Sequence, residues 1–158
     1  MKIIVYSDSH GCRTKVRHMF ESEKDADFCF FLGDGLTEAQ DMAEMYPHIK
    51  HIMVRGNCDY HSQKDTVAYK YIDGLTFVAC HGHEDNVKRW LTDLTDHVMS
   101  VRGNIALYGH THVQNTYNDG ASGIFHLNPG SLANGQYSII TTDKGSFDIE
   151  NKTVKVRY

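Results

Sequence analysis

The chain has 158 residues, 41% of them hydrophobic and 23% charged, and a formal net charge of −4; this balance excludes a disordered or fibrous protein and matches an ordinary soluble globular one. The length is enough to bury a full core, and a single domain over residues 1–158 is expected. No block of like charge and no basic stripe is present, so no groove for a nucleic-acid polymer is evident.

The N-terminus enters a strand at once, Lys2–Tyr6, with no charged segment leading into a long apolar stretch. Neither a signal peptide nor a membrane span is expected, and the cytoplasm, with reduced thiols, is the expected location. Val16, Met19, Phe20 and Glu23 then trace one helix face at helical spacing. Asp25-Ala26-Asp27 turns into a second strand, Phe28–Leu32. Thr37 is placed to cap a helix running to Tyr46, with Ala39, Met42, Ala43 and Tyr46 on its buried side and Pro47 closing it. A third strand follows at Lys50–Val54, and the βαβαβ rhythm predicts parallel strands with helical crossovers.

In the second half, Val67–Ile72 and Leu75–Cys80 flank Asp73-Gly74, a two-residue hairpin signal. The spacing then predicts a helix from Asn86 to Val101, with Val87, Trp90, Leu91, Leu94 and Val98 as its core stripe and Gly103 as its stop. From Gln114 onward the pattern is all strand: Gln114–Tyr117, Gly123–Leu127, Tyr137–Thr142, Ser146–Glu150 and Thr153–Val156, with glycines and Asn151-Lys152 between them. The segment Thr153–Arg157 is either an edge open to pairing with another subunit, giving a homo-oligomer, or an edge blunted by Lys152, Lys155 and Arg157. A helix-covered sheet followed by consecutive antiparallel strands is expected, giving two packed sheets with helices on the outer faces.

Five apolar runs end in clusters of metal-ligand side chains: Asp8-Ser9-His10, Gly33-Asp34, Gly56-Asn57, His81-Gly82-His83 and Gly109-His110-Thr111-His112. In an open α/β sheet, ligands gather beyond the carboxyl ends of the strands. In extended backbone, residues two apart share a face, so Asp8 with His10 and His110 with His112 are each expected to look into one cavity. Asp8, His10, Asp34, Asn57, His81, His110 and His112 are more donors than one tetrahedral site uses. Two ions sharing the Asp34 carboxylate would use them all, at a separation of about 3.5–4 Å. Mixed oxygen and nitrogen donors favour divalent transition metals over magnesium or calcium. Such a pair lowers the pKa of a bridging water and clamps an in-line displacement, which fits phosphate-ester hydrolysis. The cysteines form no C-x-x-C pair, which argues against a zinc ribbon or redox motif; Cys29 and Cys80 sit in apolar runs, whereas Cys58 follows Asn57 at the proposed site.

Asp8-x-His10-Gly11, Gly33-Asp34-Gly35, Gly56-Asn57-Cys58-Asp59, His81-Gly82-His83 and Gly109-His110-Thr111-His112 stand in the order and spacing of the calcineurin-like metallophosphoesterases. With its small size, Asn57-Cys58-Asp59 and Asn128-Pro129-Gly130-Ser131, the chain resembles their small YfcE-type bacterial and archaeal phosphodiesterase branch. The resemblance implies a four-layer α/β/β/α sandwich of two mixed sheets, the second-half strands forming the second sheet. It implies that Asp8, His10, Asp34 and His112 hold one metal and that Asp34, Asn57, His81 and His110 hold the other. Manganese is the first expectation, with nickel, cobalt, iron or zinc as alternatives. The loop Asn128–Ser131 would shape the site without ligating. Many relatives carry His where this chain has Cys58, and that His is assigned to the leaving group or transition state; Cys58 is therefore a candidate catalytic residue.

Single features are weaker than the set. An isolated Asp-x-His is a surface accident more often than a ligand pair. His83 repeats the spacing after His81 and is read as facing the substrate or supporting the ligands. His18, His48, His51, His61, His97 and His126 are read as surface or structural residues, and Tyr60 and His61 as either the mouth of the site or a solvated loop. The expected function is a two-metal phosphodiesterase acting on a small phosphate ester through a metal-bridging hydroxide, with Asn57 touching both metal and substrate. The alternatives are a phosphomonoesterase with the same site, or a non-catalytic scaffold like the retromer subunit of this fold.

Overall fold

The computed structural model describes residues 1–154. Strand β1 (Lys2–Tyr6), helix α1 (Arg13–Ser22), β2 (Phe28–Phe31), α2 (Leu36–Met45) and β3 (Lys50–Met53) form the expected βαβαβ unit, with β1, β2 and β3 parallel. The hairpin β4 (Val67–Ile72) and β5 (Leu75–Cys80) opens the second half, followed by α3 (Thr92–Ser100), β6 (Ile105–Leu107), β7 (Asn115–Asp119) and β8 (Ile124–Asn128). A short turn of 3-10 helix, Leu132–Asn134, leads into β9 (Gln136–Asp143) and β10 (Ser146–Thr153).

The strands sort into two mixed sheets, β10-β9-β1-β2-β3 and β4-β5-β6-β8-β7. Alternation along each strand builds three apolar layers. Ile3 and Val5 face inward to meet Phe77, Ala79, Ile105 and Leu107 of the other sheet, and Phe30 stacks on Phe77 at 5.5 Å. Ile4 and Tyr6 face outward against Val16, Met19 and Phe20 of α1 and Ala39 and Met42 of α2. Val78 and Cys80 face the other way, against Leu94 and Val98 of α3. β1 and β2 are covered on both faces, which is why they read as unbroken apolar runs. The result is an α/β/β/α sandwich.

Four expectations need correction. The second-half strands do not all enter the second sheet, because β9 pairs antiparallel with β1 and carries β10 to the outer edge of the first sheet. β8 lies parallel to β6, so the late strands are not a simple antiparallel run. Asn151-Lys152 does not break the last strand, which runs unbroken from Ser146 to Thr153; residues 155–158 of the proposed Thr153–Arg157 edge lie outside the described residues. Finally, residues 86–89 are turn and 90–91 irregular instead of helix, with Asn86 at a left-handed φ of 52°. Trp90 consequently stands 50% exposed ahead of α3 and is not core. None of the helices in the described residues is long and apolar enough to cross a membrane.

Glu23, at the end of α1, ties the first sheet to its helix. Its buried carboxylate accepts from Tyr137 Oη at 2.8 Å and Lys152 Nζ at 3.0 Å and pairs with Lys2 Nζ at 2.9 Å. Burial pushes the carboxyl up, but the Lys2, Tyr137 and Lys152 hydrogen bonds outweigh it and hold the group below its ordinary value. Glu23→Gln should therefore cost about 2 kcal/mol at neutral pH. A depressed carboxyl contributes stability above its unfolded-state pKa and loses it as pH falls through the folded-state value. Urea unfolding at neutral pH and near about pH 3 should show the gap between wild type and variant closing in acid.

Candidate metal centre

The carboxyl ends of β1, β2, β3, β5 and β6 meet at one edge of the sandwich, and the sequence-predicted donors converge there from both sheets. Asp8 is fully buried, and its Oδ2 accepts the His110 backbone N–H at 3.1 Å. Its Oδ1 has no hydrogen-bond donor among the described residues and lies 3.1 Å from His112 Nε2, 3.7 Å from His10 Nε2 and 4.0 Å from His81 Nε2. His10 Nε2 and His112 Nε2 are 3.2 Å apart. On the other side, His81 Nε2 lies 3.0 Å from Asn57 Oδ1, 3.2 Å from His110 Nδ1 and 3.4 Å from Asp34 Oδ2. The His81 ring is set by Nδ1, which donates to the Leu32 carbonyl at 2.7 Å, so that the neutral ring presents the Nε2 lone pair to the cluster. The seven predicted donors thus fall into two neighbouring groups. Lone pairs packed around an orphaned carboxylate oxygen, without donors to satisfy them, fit a cation.

The backbone reason for this convergence differs from the expected one. Asp8, His10, Asp34, His110 and His112 are not extended; their φ values are 55°, 43°, 62°, 66° and 59°. Residues two apart therefore do not share a face by strand pleating. Each turns out of its strand through a left-handed residue, and His110 and His112 diverge to opposite groups. Non-glycine residues in this region are uncommon and gather at functional sites. Gly33, with φ of 100°, lies against Gly56: a Cβ at position 33 would stand 2.5 Å from the Gly56 nitrogen and 2.9 Å from His81 Nδ1. A Cβ on Gly56 would overlap the Asp34 carboxylate.

The electrostatics follow from the packing. Burial opposes ionisation of Asp34, but the hydrogen bonds it accepts from the protonated His81 ring and from the Cys58 backbone N–H reverse this and hold its carboxyl well below the usual range. His81 is pulled down by burial and raised on balance by Asp34 and Asp8, whose negative field would equally favour a metal. Burial, then the neighbouring His81, pushes His110 down to about 4 and also lowers His83. Burial and Asp34 push the Cys58 thiol up.

Cys58 is exposed at the opening; its Sγ lies 3.5 Å from Asn57 Nδ2 and within 4.8 Å of donor atoms on His10 and Asp34. His83 lies beside the group, its ring 5.4 Å from that of His81, with a buried Nδ1 that has no partner. The loop Asn128–Ser131 braces the ligand segments as expected. Asn128 Nδ2 donates to Gly109 O at 3.0 Å and Thr111 Oγ1 at 2.9 Å, and Ser131 Oγ donates to Asp8 O at 2.9 Å. The remaining histidines are outside the site: His126 is buried against Thr95, and His48, His51 and His97 bond to Lys24, Tyr46 and Tyr69.

Two supporting carboxylates were not singled out from sequence. Glu38 Oε1 accepts from Ser9 Oγ at 3.1 Å and Gly11 N at 2.7 Å, holding the loop that carries His10. Asp59 accepts four backbone N–H groups, from Asp34 at 2.9 Å, Gly35 and Leu36 at 3.0 Å, and Gly56 at 2.8 Å. It therefore caps α2 from a distance, in place of Thr37, which lies exposed in the first turn. The available signal was an acid three residues after Gly56, the spacing of a local side-chain-to-backbone turn. Asp59→Asn keeps one acceptor oxygen where two served four donors. It should leave the sandwich folded and lower metal affinity about 10–100-fold, read by calorimetric metal titration; unchanged affinity would show that Asp59 only caps the helix.

Residues 1–145 match the calcineurin-like phosphoesterase superfamily domain. A search of the curated proteins gave no match. Among solved structures, a conserved Streptococcus pneumoniae protein described as a predicted phosphoesterase is 26% identical, with a TM-score of 0.80 over 96% of this chain and 88% of that one. An archaeal phosphodiesterase is 20% identical, with a TM-score of 0.68 over 96% and 100% of the two chains. Wild-type Vps29 of Entamoeba histolytica, in complex with zinc, is 18% identical, with a TM-score of 0.74 over 98% and 100%. At these identities the last two share the fold alone. With the domain match spanning nearly the whole sequence, the chain belongs to the calcineurin-like phosphoesterase superfamily.

Proposed function

We propose that the chain is a phosphodiesterase that works with two divalent transition metals, manganese foremost. The observation that carries this is the pair of adjoining donor groups, with Asp34 reaching toward both. Asp8, His10, Asp34 and His112 would hold one ion, and Asp34, Asn57, His81 and His110 the other. Bound there, two ions supply Lewis-acid polarisation of phosphoryl oxygens and a water of lowered pKa. The Asn57 amide, beside His81 at the opening, orients the ester. Cys58 and His83 flank that position as candidates for delivering a proton to the leaving oxygen. A thiol at position 58 brings no fixed positive charge, which favours a singly charged diester over a doubly charged monoester.

The scaffold reading has support from the Vps29 neighbours. Since one of them was crystallised with zinc, metal binding alone does not separate an enzyme from a scaffold, and turnover must. Protein purified without chelator and supplied with manganese, nickel, cobalt, iron or zinc should hydrolyse bis(p-nitrophenyl) phosphate faster than p-nitrophenyl phosphate, and chelation should abolish both. Faster monoester hydrolysis would favour the phosphomonoesterase, and no turnover with any of the metals would favour the scaffold.

A further inference from the structure

A cleft of about 690 Å³ opens beside the metal centre, between the first turn of α2 and the loop of residues 58–64. Its volume is that of a site for a small organic molecule. Cys58 lines it, and the Cys58 backbone N–H donates to Asp34 Oδ1 at 2.8 Å, so the cleft adjoins the donor cluster. Its wall is an ordered loop. Arg55 N donates to Asp65 O at 3.0 Å and closes the base, while Ser62 N donates to Asp59 O at 3.1 Å and Lys64 N to Ser62 Oγ at 3.0 Å.

The lining chemistry is specific enough to select a ligand class. Tyr60 and His61 offer exposed ring faces, Tyr60 being 80% exposed with nothing packed over it to account for so large an aromatic. Thr37, Gln40 and Gln63 offer hydroxyl and amide groups that both donate and accept. Asp59 has its carboxylate oxygens committed to four backbone N–H groups and stabilises the wall. A purely aliphatic substituent would make no use of the exposed Gln40 and Gln63 amides, and a highly charged one would find a single lysine, Lys64, among the lining residues. A flat, uncharged group edged with donors and acceptors suits the cleft, and a nucleobase is the common group of that description.

We infer that this cleft receives the non-leaving substituent of the diester and that the substituent is a nucleoside, stacked on Tyr60 and hydrogen-bonded by Gln40 and Gln63. The inference rests on the diesterase reading for its kinetic test but not for its binding test. Two esters with the same leaving group separate the effects: p-nitrophenyl thymidine 5′-phosphate and p-nitrophenyl ethyl phosphate. The wild-type protein with manganese should show a higher kcat/KM for the thymidine ester. Tyr60→Ala should cut the ratio of the two values about tenfold, as expected for loss of one base–aromatic stack, and Gln63→Ala should reduce it as well. Equal kcat/KM for the two esters, or a ratio unmoved by either variant, would overturn the cleft while leaving the diesterase intact. Thymidine itself, added to the diamagnetic zinc-loaded protein, should shift the backbone amide resonances of residues 58–64. Those shifts without turnover of either ester would sink the diesterase reading and keep the cleft; their absence at saturating thymidine would count against the cleft however the esters behave.

Discussion

Asp34→Asn should lower diester turnover by at least about 10³-fold and reduce bound metal in both positions. Asp34 stands between the two donor groups, with Oδ2 3.4 Å from His81 Nε2 and the carboxylate within reach of His10 and Cys58. The substitution keeps size and one oxygen, so the Cys58 N–H retains an acceptor, and the Asp59 carboxylate still holds the backbone at position 34. Loss of function would then come from the missing charge and second oxygen, not from unfolding. His112→Ala is the informative partner, since His112 approaches only Asp8 and His10 and should chiefly deplete one position. Metal analysis beside turnover on an aryl diester separates the two variants. Full activity in Asp34→Asn, or equal metal loss in both, would end the proposal of a shared carboxylate.

The second large effect concerns departure of the leaving group. A nitrophenolate leaves unaided, whereas an alkoxide needs a proton, and general acid help is typically worth about 10²–10⁴-fold. With a thiol at position 58 where many relatives carry an imidazole, turnover should fall steeply as leaving-group pKa rises. Cys58→His should flatten that slope and raise alkyl-ester turnover by up to about 10²-fold. The position accommodates the larger ring, because Cys58 is exposed at the opening. A leaving-group series on wild type, Cys58→His and Cys58→Ser provides the test. Identical slopes would remove position 58 from proton delivery. A slope altered only in His83→Gln would transfer the role to the ring beside His81.

How much of this was legible in the sequence depended on which physical signal carried it. β1, β2 and the β4–β5 hairpin were readable because alternation, two-sided burial and Asp73-Gly74 each leave a local trace. The convergence of the seven candidate donors was readable because strand ends in such sheets meet by construction. The pairing of β9 with β1 was not, since antiparallel edge addition is a long-range choice between sheets with similar apolar faces. Trp90 misled because its helical spacing is genuine, while the chain takes a left-handed turn at Asn86 and begins α3 only at Thr92. The Asp8-x-His10 argument reached the right neighbours through the wrong geometry: the two residues converge by turning out of the strand. The roles of Glu38 and Asp59 were not read because all but one of the donors they accept from, the Ser9 hydroxyl, are backbone N–H groups, which carry no sequence identity.

The five left-handed donors also bear on how this family can change. A non-glycine residue in that region costs on the order of 1 kcal/mol, and here Asp8, His10, Asp34, His110 and His112 all sit there. These positions are therefore held against the preference of the chain itself, and only for as long as the side chains are useful. Glycine would relax each of them. A descendant with no use for the proposed hydrolysis would have a downhill route to greater robustness at these five sites, losing its donors one at a time while the sandwich around them stayed intact.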